Sequence, residues 1–211
     1  MIRLLLADDH DLFRDGLKRV LEEQHSMVIV GEASDSRALL DEVRRAKPDV
    51  VLLDLSMPGR GGLENTQEIK RFDPRIKVLI LTAHPEDQYA VRCLKSGADG
   101  YITKGSSSEA LANAIYRVAS QRKYISPALA EQLAFSLSDD DFEAPHSKLS
   151  DREYQVLSMI GGGQSTSQIA NELSLSVKTI STYRSRILEK LRLDNTAQLI
   201  RYALENELAN S

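Results

Sequence analysis

The sequence has one cysteine, no long apolar run and no excess of basic charge, and each of these absences excludes a class of protein. Cys93 alone cannot form an intramolecular disulfide or a cysteine-rich metal site. No apolar stretch approaches the roughly 20 residues that span a bilayer. The first residues turn acidic too soon for a signal peptide. We therefore expect a cytoplasmic protein without a membrane segment.

Charge is distributed unevenly along the chain. The 211 residues include 27 Lys and Arg against 31 Asp and Glu, a formal net charge of −4 that excludes a uniformly basic protein. Residues 147–211 hold 8 basic and 7 acidic side chains, so the acidic excess lies in the front part. A chain of this length suits one large domain or two small ones. The asymmetry favours two domains with separate tasks.

Strand-like and helix-like segments alternate in the front part. Apolar runs predict strands, and the amphipathic stretches between them predict helices. The predicted strands are 2–7, 27–31, 49–53, 76–81 and 99–103, and the predicted helices are 11–24, 35–46, 63–71, 86–96 and 106–121. This alternation indicates an α/β fold, a flavodoxin-like, doubly wound parallel sheet of five strands in the order 2-1-3-4-5.

The back part is predicted to be a smaller, all-α domain of four helices. The predicted helices are 149–160, 165–173, 177–191 and 196–208. Ser150 and Glu153 form a capping-box pattern at the start of the first helix, and Ser176 is a candidate N-cap of the third. The second and third helices, joined by a tight turn, have helix-turn-helix proportions. Residues predicted to face inward on the third are Val177, Ile180, Ile187, Leu188 and Leu191.

A linker is predicted between the two domains. We expect the first domain at 1–121, a helical linker with an acidic stretch at 122–147, and the second domain at 148–211. Ser126 and Pro127 have the character of an N-cap and a first-turn proline, which predicts a short helix at 126–137. An acidic segment that ends in proline follows it. The alternative boundary places the linker nearer residues 120–123.

Acidic residues follow two of the predicted strands. Asp8 and Asp9 end the first apolar run, and Asp54 ends the third. Ligands of open parallel sheets bind outside the carboxyl ends of the strands, so these carboxylates should converge. Crowded like charges are unfavourable unless a cation joins them, and oxygen ligands favour a hard divalent ion, Mg²⁺ first. The alternative is that each aspartate only starts a turn or caps a helix.

Two other predicted strands are followed by a hydroxyl and an ammonium group, from Thr82 and Lys104. A carboxylate can attack phosphorus and become an acyl phosphate. A metal ion and a lysine can neutralise the phosphoryl oxygens, and a hydroxyl can hydrogen-bond one of them. Taken alone, Lys104 would be read as a solvated lysine and Thr82 as an ordinary strand-end residue. Their positions on successive strands indicate phosphoryl chemistry.

These residues resemble the receiver domain of two-component response regulators. The matching motifs are Asp8-Asp9-His10, Asp54-Leu55-Ser56-Met57-Pro58, Leu81-Thr82-Ala83 and Tyr101-Ile102-Thr103-Lys104. The resemblance implies that Asp54 is the phosphoacceptor and that a histidine kinase or phosphorelay protein is the donor. The implied Mg²⁺ ligands are Asp8, Asp9, Asp54 and the carbonyl of Ser56. The implied phosphoryl contacts and switch residues are Thr82, Ala83, Lys104 and Tyr101.

The back part resembles the NarL/LuxR-type DNA-binding domain. The matching motifs are Leu149-Ser150-Asp151-Arg152-Glu153, Ile169-Ala170, the segment 176–183 and Lys190-Leu191. The resemblance implies that the helix after Ser176 is the recognition helix and that the last helix is the dimerisation helix. Residues expected to face base edges are Ser181, Thr182 and Ser185, and those expected nearer phosphates are Lys178, Thr179 and Arg186. The alternative is that this polar face of the helix after Ser176 is simply exposed to solvent.

Together these resemblances imply a transcriptional regulator that depends on phosphorylation. It would accept a phosphoryl group on Asp54, dimerise, and bind double-stranded promoter DNA, with RNA polymerase as a candidate further partner. It would catalyse only its own phosphotransfer and dephosphorylation. We expect Ser56 and His84 to set the lifetime of the acyl phosphate. The open alternatives are a small phosphatase with an aspartyl phosphate intermediate and a constitutive DNA binder whose receiver is vestigial.

Overall fold

The chain divides into two compact units, Met1–Ser138 and Asp139–Ser211. The computed structural model describes residues 1–127, 129–131, 145–173, 175–206 and 208–209. The predicted linker helix at 126–137 and the acidic stretch after it lie mostly outside the described residues. Within the described residues, no helix combines the length and the apolar character needed to cross a membrane.

The first unit is a five-stranded parallel sheet with helices between the strands. Its strands are β1 (Ile2–Ala7), β2 (Met27–Ala33), β3 (Val50–Leu53), β4 (Lys77–Thr82) and β5 (Gly100–Thr103). Its helices are α1 (Asp11–Glu22), α2 (Ser36–Ala46), α3 (Gly62–Phe72), α4 (Glu86–Lys95) and α5 (Ser108–Ala119). The strand order β2-β1-β3-β4-β5 confirms the predicted doubly wound, flavodoxin-like fold.

The central strands are buried on both faces, which explains their continuous apolar sequences. All four residues of β3 are buried, as is the second half of β1. On one side of the sheet, Leu4, Leu52 and Leu79 lie in the same buried cluster as Ile115 of α5. Each such side chain contributes about 1.5–3 kcal/mol when it is fully buried. Packing of this kind fixes where each strand ends.

The register of the sheet places the polar strand ends beside one another. Ala7 pairs with Leu53, and the amide of Asp54 donates to the Ala7 carbonyl at 2.9 Å. On the other side, Thr82 pairs with Thr103. Thr82 is therefore the last residue of β4, whereas the sequence predicted that it follows the strand. The amide of Lys104 then donates to the Thr82 carbonyl at 2.8 Å, so the ladder continues to the rim.

The chain that leaves α5 returns to the free edge of β5. Tyr124 forms a parallel bridge with Gly100. Its amide donates to the Asp99 carbonyl at 2.9 Å, and its carbonyl accepts from the Tyr101 amide at 3.3 Å. A single residue of the predicted linker is therefore joined to the last strand of the sheet. The sequence did not predict this pairing.

The second unit is helical. It begins with a 3₁₀ turn at Pro145–Lys148, followed by α6 (Asp151–Gly161), α7 (Thr166–Glu172), α8 (Val177–Leu191) and α9 (Thr196–Glu205). The capping box of Ser150 and Glu153 is present, and Ser176 caps α8 through the Thr179 amide. The four predicted helices are thus confirmed. Helix α9 ends three residues before its predicted end, because the Asn206 side-chain amide donates to the Tyr202 carbonyl at 2.8 Å.

The inward face of α8 is narrower than predicted. Ile180, Ile187 and Leu191 are buried, Leu188 is half-buried, and Val177 is 46% exposed. The prediction for Val177 was wrong, because this residue begins the helix on the turn that projects beyond the packed core. An apolar side chain therefore lies at the exposed N-terminus of α8.

Candidate functional site

The carboxyl ends of the strands bring two buried carboxylates against one ammonium group. Asp8 and Asp54 are 3% and 2% exposed. Lys104 Nζ lies 2.8 Å from Asp8 Oδ2 and 2.9 Å from Asp54 Oδ2, and so bridges the two acids. The Lys104 nitrogen also lies 4.7 Å from the centre of the Phe13 ring. Burial works against the ammonium, yet the charges and hydrogen bonds of Asp54 and Asp8 outweigh it and raise the Lys104 pKa.

Two buried carboxylate oxygens of this centre accept no hydrogen bond from the described residues. They are Oδ1 of Asp54 and Oδ1 of Asp9. An uncompensated charged oxygen away from water is costly, and a cation bound here would remove that cost. Atoms of Asp8, Asp9, His10 and Asp54 that could bind a metal all lie within 4.8 Å of one another. The arrangement fits a divalent cation held by the two open oxygens.

The two oxygens of Asp8 are both occupied by protein groups. Oδ2 contacts Lys104, while Oδ1 accepts from the His10 amide at 2.9 Å and lies 3.2 Å from His10 Nδ1. The Arg14 guanidinium donates to the Asp8 carbonyl at 2.5 Å and holds the turn that enters α1. Asp8 therefore contributes charge to the centre, whereas Asp9 and Asp54 offer unoccupied ligand atoms.

The loops after β3 and β4 meet at the mouth of the centre. Ser56 Oγ lies 3.2 Å from His84 Nε2, and the His84 ring stacks on Tyr89 with 4.4 Å between the ring centres. Thr82 is fully buried, and its hydroxyl oxygen accepts from the His84 amide at 3.4 Å. The Thr82 hydroxyl hydrogen thus stays available to another acceptor. Ala83, directly after the strand, is exposed and small.

Tyr101 is an internal hydrogen-bond donor. It is 2% exposed, and its hydroxyl donates to the His84 carbonyl at 2.9 Å, with the Pro85 carbonyl 3.3 Å away. Burial raises the pKa of this hydroxyl far above its usual value, so the group keeps its proton. The Tyr101 side chain, on β5, is therefore hydrogen-bonded to the backbone that follows β4.

In the second unit, the polar face of α8 is accessible. Lys178, Thr182, Ser185 and Arg186 are exposed, and Thr179 and Ser181 are half-buried. A depression of about 300 Å³ lies on this face, lined by Ser176, Lys178, Thr179, Thr182, Tyr183 and Arg186. The Thr182 hydroxyl donates to the Lys178 carbonyl at 3.0 Å, and that of Ser185 to the Ser181 carbonyl at 3.1 Å. In this arrangement both hydroxyls present acceptor oxygens outward.

Family models match both units of the chain. The model described as the response regulator receiver domain matches residues 4–116, and that of the bacterial regulatory proteins of the luxR family matches 147–203. The response regulator GacA of Pseudomonas aeruginosa is 40% identical over the whole chain and 99% of the relative. The chain belongs to the response regulators with a LuxR-type DNA-binding domain. The response regulator UvrY of Escherichia coli is 39% identical over the whole chain and 97% of the relative.

Solved structures of other response regulators are similar. RcsB of Salmonella enterica, bound to the rprA promoter in the presence of a phosphomimetic, is 27% identical with a TM-score of 0.64, over 95% of this chain and 97% of that one. A LuxR-family response regulator from Aurantimonas is 34% identical with a TM-score of 0.60, over 65% of this chain and 99% of that one. The chain described here is therefore a transcriptional regulator with the predicted two-part architecture.

Three contacts of the response regulator were not anticipated. The ring of His10 turns back onto the acidic pair, Arg14 binds the Asp8 carbonyl, and Phe13 lies beneath Lys104. The only sequence signal for His10 was its place directly after Asp9. Arg14 lies one helical turn further along, and nothing in the periodicity distinguished it from other exposed cations.

Proposed function

We propose that Asp54 accepts a phosphoryl group from a histidine kinase or a phosphorelay protein. The observation that carries this proposal is the buried Asp54 Oδ1, which has no donor among the described residues, while Oδ2 of the same carboxylate is held by Lys104. The open oxygen can bind the metal ion, while the other attacks phosphorus once Lys104 moves to a phosphoryl oxygen. Mg²⁺ at Asp9, Asp54, Asp8 and the Ser56 carbonyl would neutralise charge on the incoming phosphoryl oxygens.

The residues around Asp54 have separate tasks in the transfer. As the Asp54 oxygen bonds to phosphorus, the bond between phosphorus and the donor nitrogen breaks, and the donor imidazole, protonated on its other nitrogen, leaves as the neutral ring. Lys104 can shift from the Asp54 carboxylate to a phosphoryl oxygen without leaving the site, since both are within reach of its nitrogen. The Thr82 hydroxyl, whose oxygen already accepts from the His84 amide, can donate to another phosphoryl oxygen.

We propose that Ser56 and His84 govern the lifetime of the acyl phosphate. Their side chains are linked at 3.2 Å between the loops that follow β3 and β4, and in this proposal an attacking water passes beside that link. Replacing His84 with Ala while keeping Ser56 should open that path and shorten the lifetime. Equal hydrolysis rates for the wild-type protein and both single Ala variants would refute this role.

Phosphorylation is proposed to promote dimerisation and binding to promoter DNA through α8. Lys178 and Arg186 are exposed cations suited to phosphates, while the oxygens of Thr182 and Ser185 can accept from base amino groups. In a solved structure, two RcsB dimers are bound to two parallel DNAs, which supports the same arrangement here. We place the protein in the cytoplasm, where its donor kinase and its DNA target would be accessible, and RNA polymerase is proposed as a further partner.

The proposed domain boundaries are 1–121 for the receiver, 122–147 for the linker and 148–211 for the DNA-binding domain. Limited proteolysis of the full chain should cut first within 122–147. The two protected fragments should then retain metal binding and DNA binding, respectively. First cleavage inside either domain would contradict these boundaries.

The decisive experiment is phosphotransfer to the full-length protein. The protein is incubated with Mg²⁺ and acetyl phosphate, a small-molecule donor, and its intact mass is measured. The wild-type protein and Asp41→Asn, an exposed aspartate on α2, should each gain one phosphoryl group. Asp54→Asn should gain none. A DNA-binding titration on the same samples should show tighter, salt-sensitive binding only after phosphorylation. Phosphorylation of Asp54→Asn, or none in the wild type, would refute the assignment.

A further inference from the structure

We propose that His10 supplies a nitrogen ligand to the acidic centre, so that this centre takes a first-row transition ion such as Mn²⁺ in preference to Mg²⁺. The proposal concerns the metal of the same site and rests on the proposed role of that metal at Asp54. A site made only of carboxylates and carbonyls suits hard ions, whereas imidazole is a ligand that transition ions accept readily.

The position of His10 is unusual for a residue that begins a helix. It is the N-cap residue of α1, with an extended backbone, yet its side chain makes no capping hydrogen bond. Its ring turns instead toward the acids, where Nδ1 lies 3.0 Å from Asp9 Oδ1 and 3.2 Å from Asp8 Oδ1. The His10 amide donates to Asp8 Oδ1 at 2.9 Å and fixes the backbone from which the ring projects.

These separations correspond to neighbouring positions around an octahedral ion. With metal–ligand bonds of about 2.1 Å, adjacent ligand atoms are about 3.0 Å apart and opposite ones about 4.2 Å apart. His10 Nδ1 and Asp9 Oδ1 already have the adjacent spacing. The four potential ligand atoms span no more than 4.8 Å, so small side-chain shifts bring them onto one ion. The His10 side chain is 63% exposed and has room to make such a shift.

The open oxygens of the centre complete the ligand set. Asp54 Oδ1 and Asp9 Oδ1 accept no hydrogen bond from the described residues, although the His10 ring lies against the latter. Asp54 is 2% exposed, so its oxygen points into the centre and away from bulk solvent. Oδ1 of Asp8 accepts from the His10 amide, and Oδ2 contacts Lys104. With the Ser56 carbonyl of the proposed site, the protein therefore offers two carboxylate oxygens, one carbonyl oxygen and one imidazole nitrogen, which leaves coordination positions for water and a phosphoryl oxygen.

The competing explanation is that His10 only hydrogen-bonds the carboxylates and positions them. A positioning role predicts that any replacement able to hydrogen-bond would serve, and that Mg²⁺ and Mn²⁺ would be affected equally. A ligand role predicts that every replacement of the imidazole removes the preference for Mn²⁺. His10→Asn retains a polar group near Nδ1, and His10→Leu retains none, so the pair separates the two explanations.

The test uses full-length protein with Mn²⁺ as the probe. Binding is followed by electron paramagnetic resonance, and Mg²⁺ is measured by competition. We expect both His10→Asn and His10→Leu to lose Mn²⁺ affinity by about tenfold, the lower end of what losing a metal-site group costs. Mg²⁺ affinity should change much less. His25→Asn, an exposed histidine between α1 and β2, is the matched control and should bind both ions like the wild type.

A spectroscopic readout decides between the two roles without any measurement of activity. Electron spin-echo modulation from a directly bound imidazole nitrogen should be present in Mn²⁺-loaded wild type and His25→Asn and absent from His10→Asn. Asp9→Asn should lose the bound ion altogether. Mn²⁺ bound at Asp9 and Asp54 without nitrogen modulation would overturn the proposal. Nitrogen modulation in a protein that fails to become phosphorylated would preserve the metal site and refute only the proposed phosphotransfer.

Discussion

Replacing Gly100 with Ala should detach the linker from the sheet. A Cβ at this position would lie 2.9 Å from the Cβ and carbonyl oxygen of Tyr124 and 2.9 Å from Cδ1 of Leu79. The Leu79 side chain can rotate, but the Tyr124 backbone has to move away. That movement breaks the bonds from the Tyr124 amide to Asp99 and from the Tyr101 amide to Tyr124.

The cost can be estimated from these contacts. Two backbone hydrogen bonds are worth about 1 kcal/mol each, and repacking Leu79 costs about another 1 kcal/mol. The substitution also offsets about 0.5–1 kcal/mol of this cost, because glycine loses more conformational entropy than alanine when it is ordered in a strand. The pairing of Gly100 with Tyr124 should therefore be weakened by about 2 kcal/mol. In a chain of two units, a single global unfolding curve would not resolve this change.

Hydrogen exchange at single amides measures the change directly. A loss of about 2 kcal/mol should make the Tyr101 and Tyr124 amides exchange about 30-fold faster, while amides in β3 stay protected. Gly16→Ala in α1 is the control, because its Cβ would have nothing within 4 Å and should stabilise the helix by about 1 kcal/mol. Unchanged exchange at both amides in Gly100→Ala would show that the steric reasoning is wrong.

Three further predictions concern charge. Asp99→Asn should destabilise the receiver by about 3 kcal/mol, as it leaves the largely buried Lys70 and Lys77 without their carboxylate, whereas exposed Asp41→Asn should have no effect in urea unfolding. Burial opposes ionisation of Glu153, but hydrogen bonds from Lys190 and from the Ser150 cap lower the pKa of this carboxyl. The stability that Glu153 contributes is therefore fully present above the unfolded pKa of about 4.5 and is lost as pH falls through the folded value. In an acid titration, Glu153→Gln should not show that loss of stability. Arg186→Ala should weaken binding to all DNA sequences similarly and reduce the salt slope by about 1.

The sequence predicts the fold because its signals are local. Strands such as β3, buried on both faces, have to be continuously apolar, and the polar residue that follows each one marks the rim of the sheet. Asp8, Asp54 and Lys104 could be placed together for this reason. Their mutual contact, with one ammonium bridging two carboxylates, depends on side-chain reach and could be seen only in the structure.

The features that the sequence missed all depend on where the chain returns in space. The pairing of Tyr124 with β5 requires the exact path after α5, and no periodicity encodes a single bridged residue. The exposure of Val177 depends on how far α8 projects beyond its neighbours, although its apolar spacing suits the core. The contact of His10 with the acids depends on a ring orientation that is independent of the helix it begins.

Strand β5, which is four residues long, lies between the acidic centre and Tyr124 of the proposed linker. Lys104, directly after the strand, binds Asp54, and the Tyr101 hydroxyl binds the backbone of His84. The amide of the same Tyr101 donates to Tyr124 of the linker. The proposed phosphoryl group, by drawing Lys104 and the loop after β4 to new positions, would therefore act on a residue already bonded to the proposed linker. We expect the Gly100–Tyr124 pairing to be the place where this change is felt first.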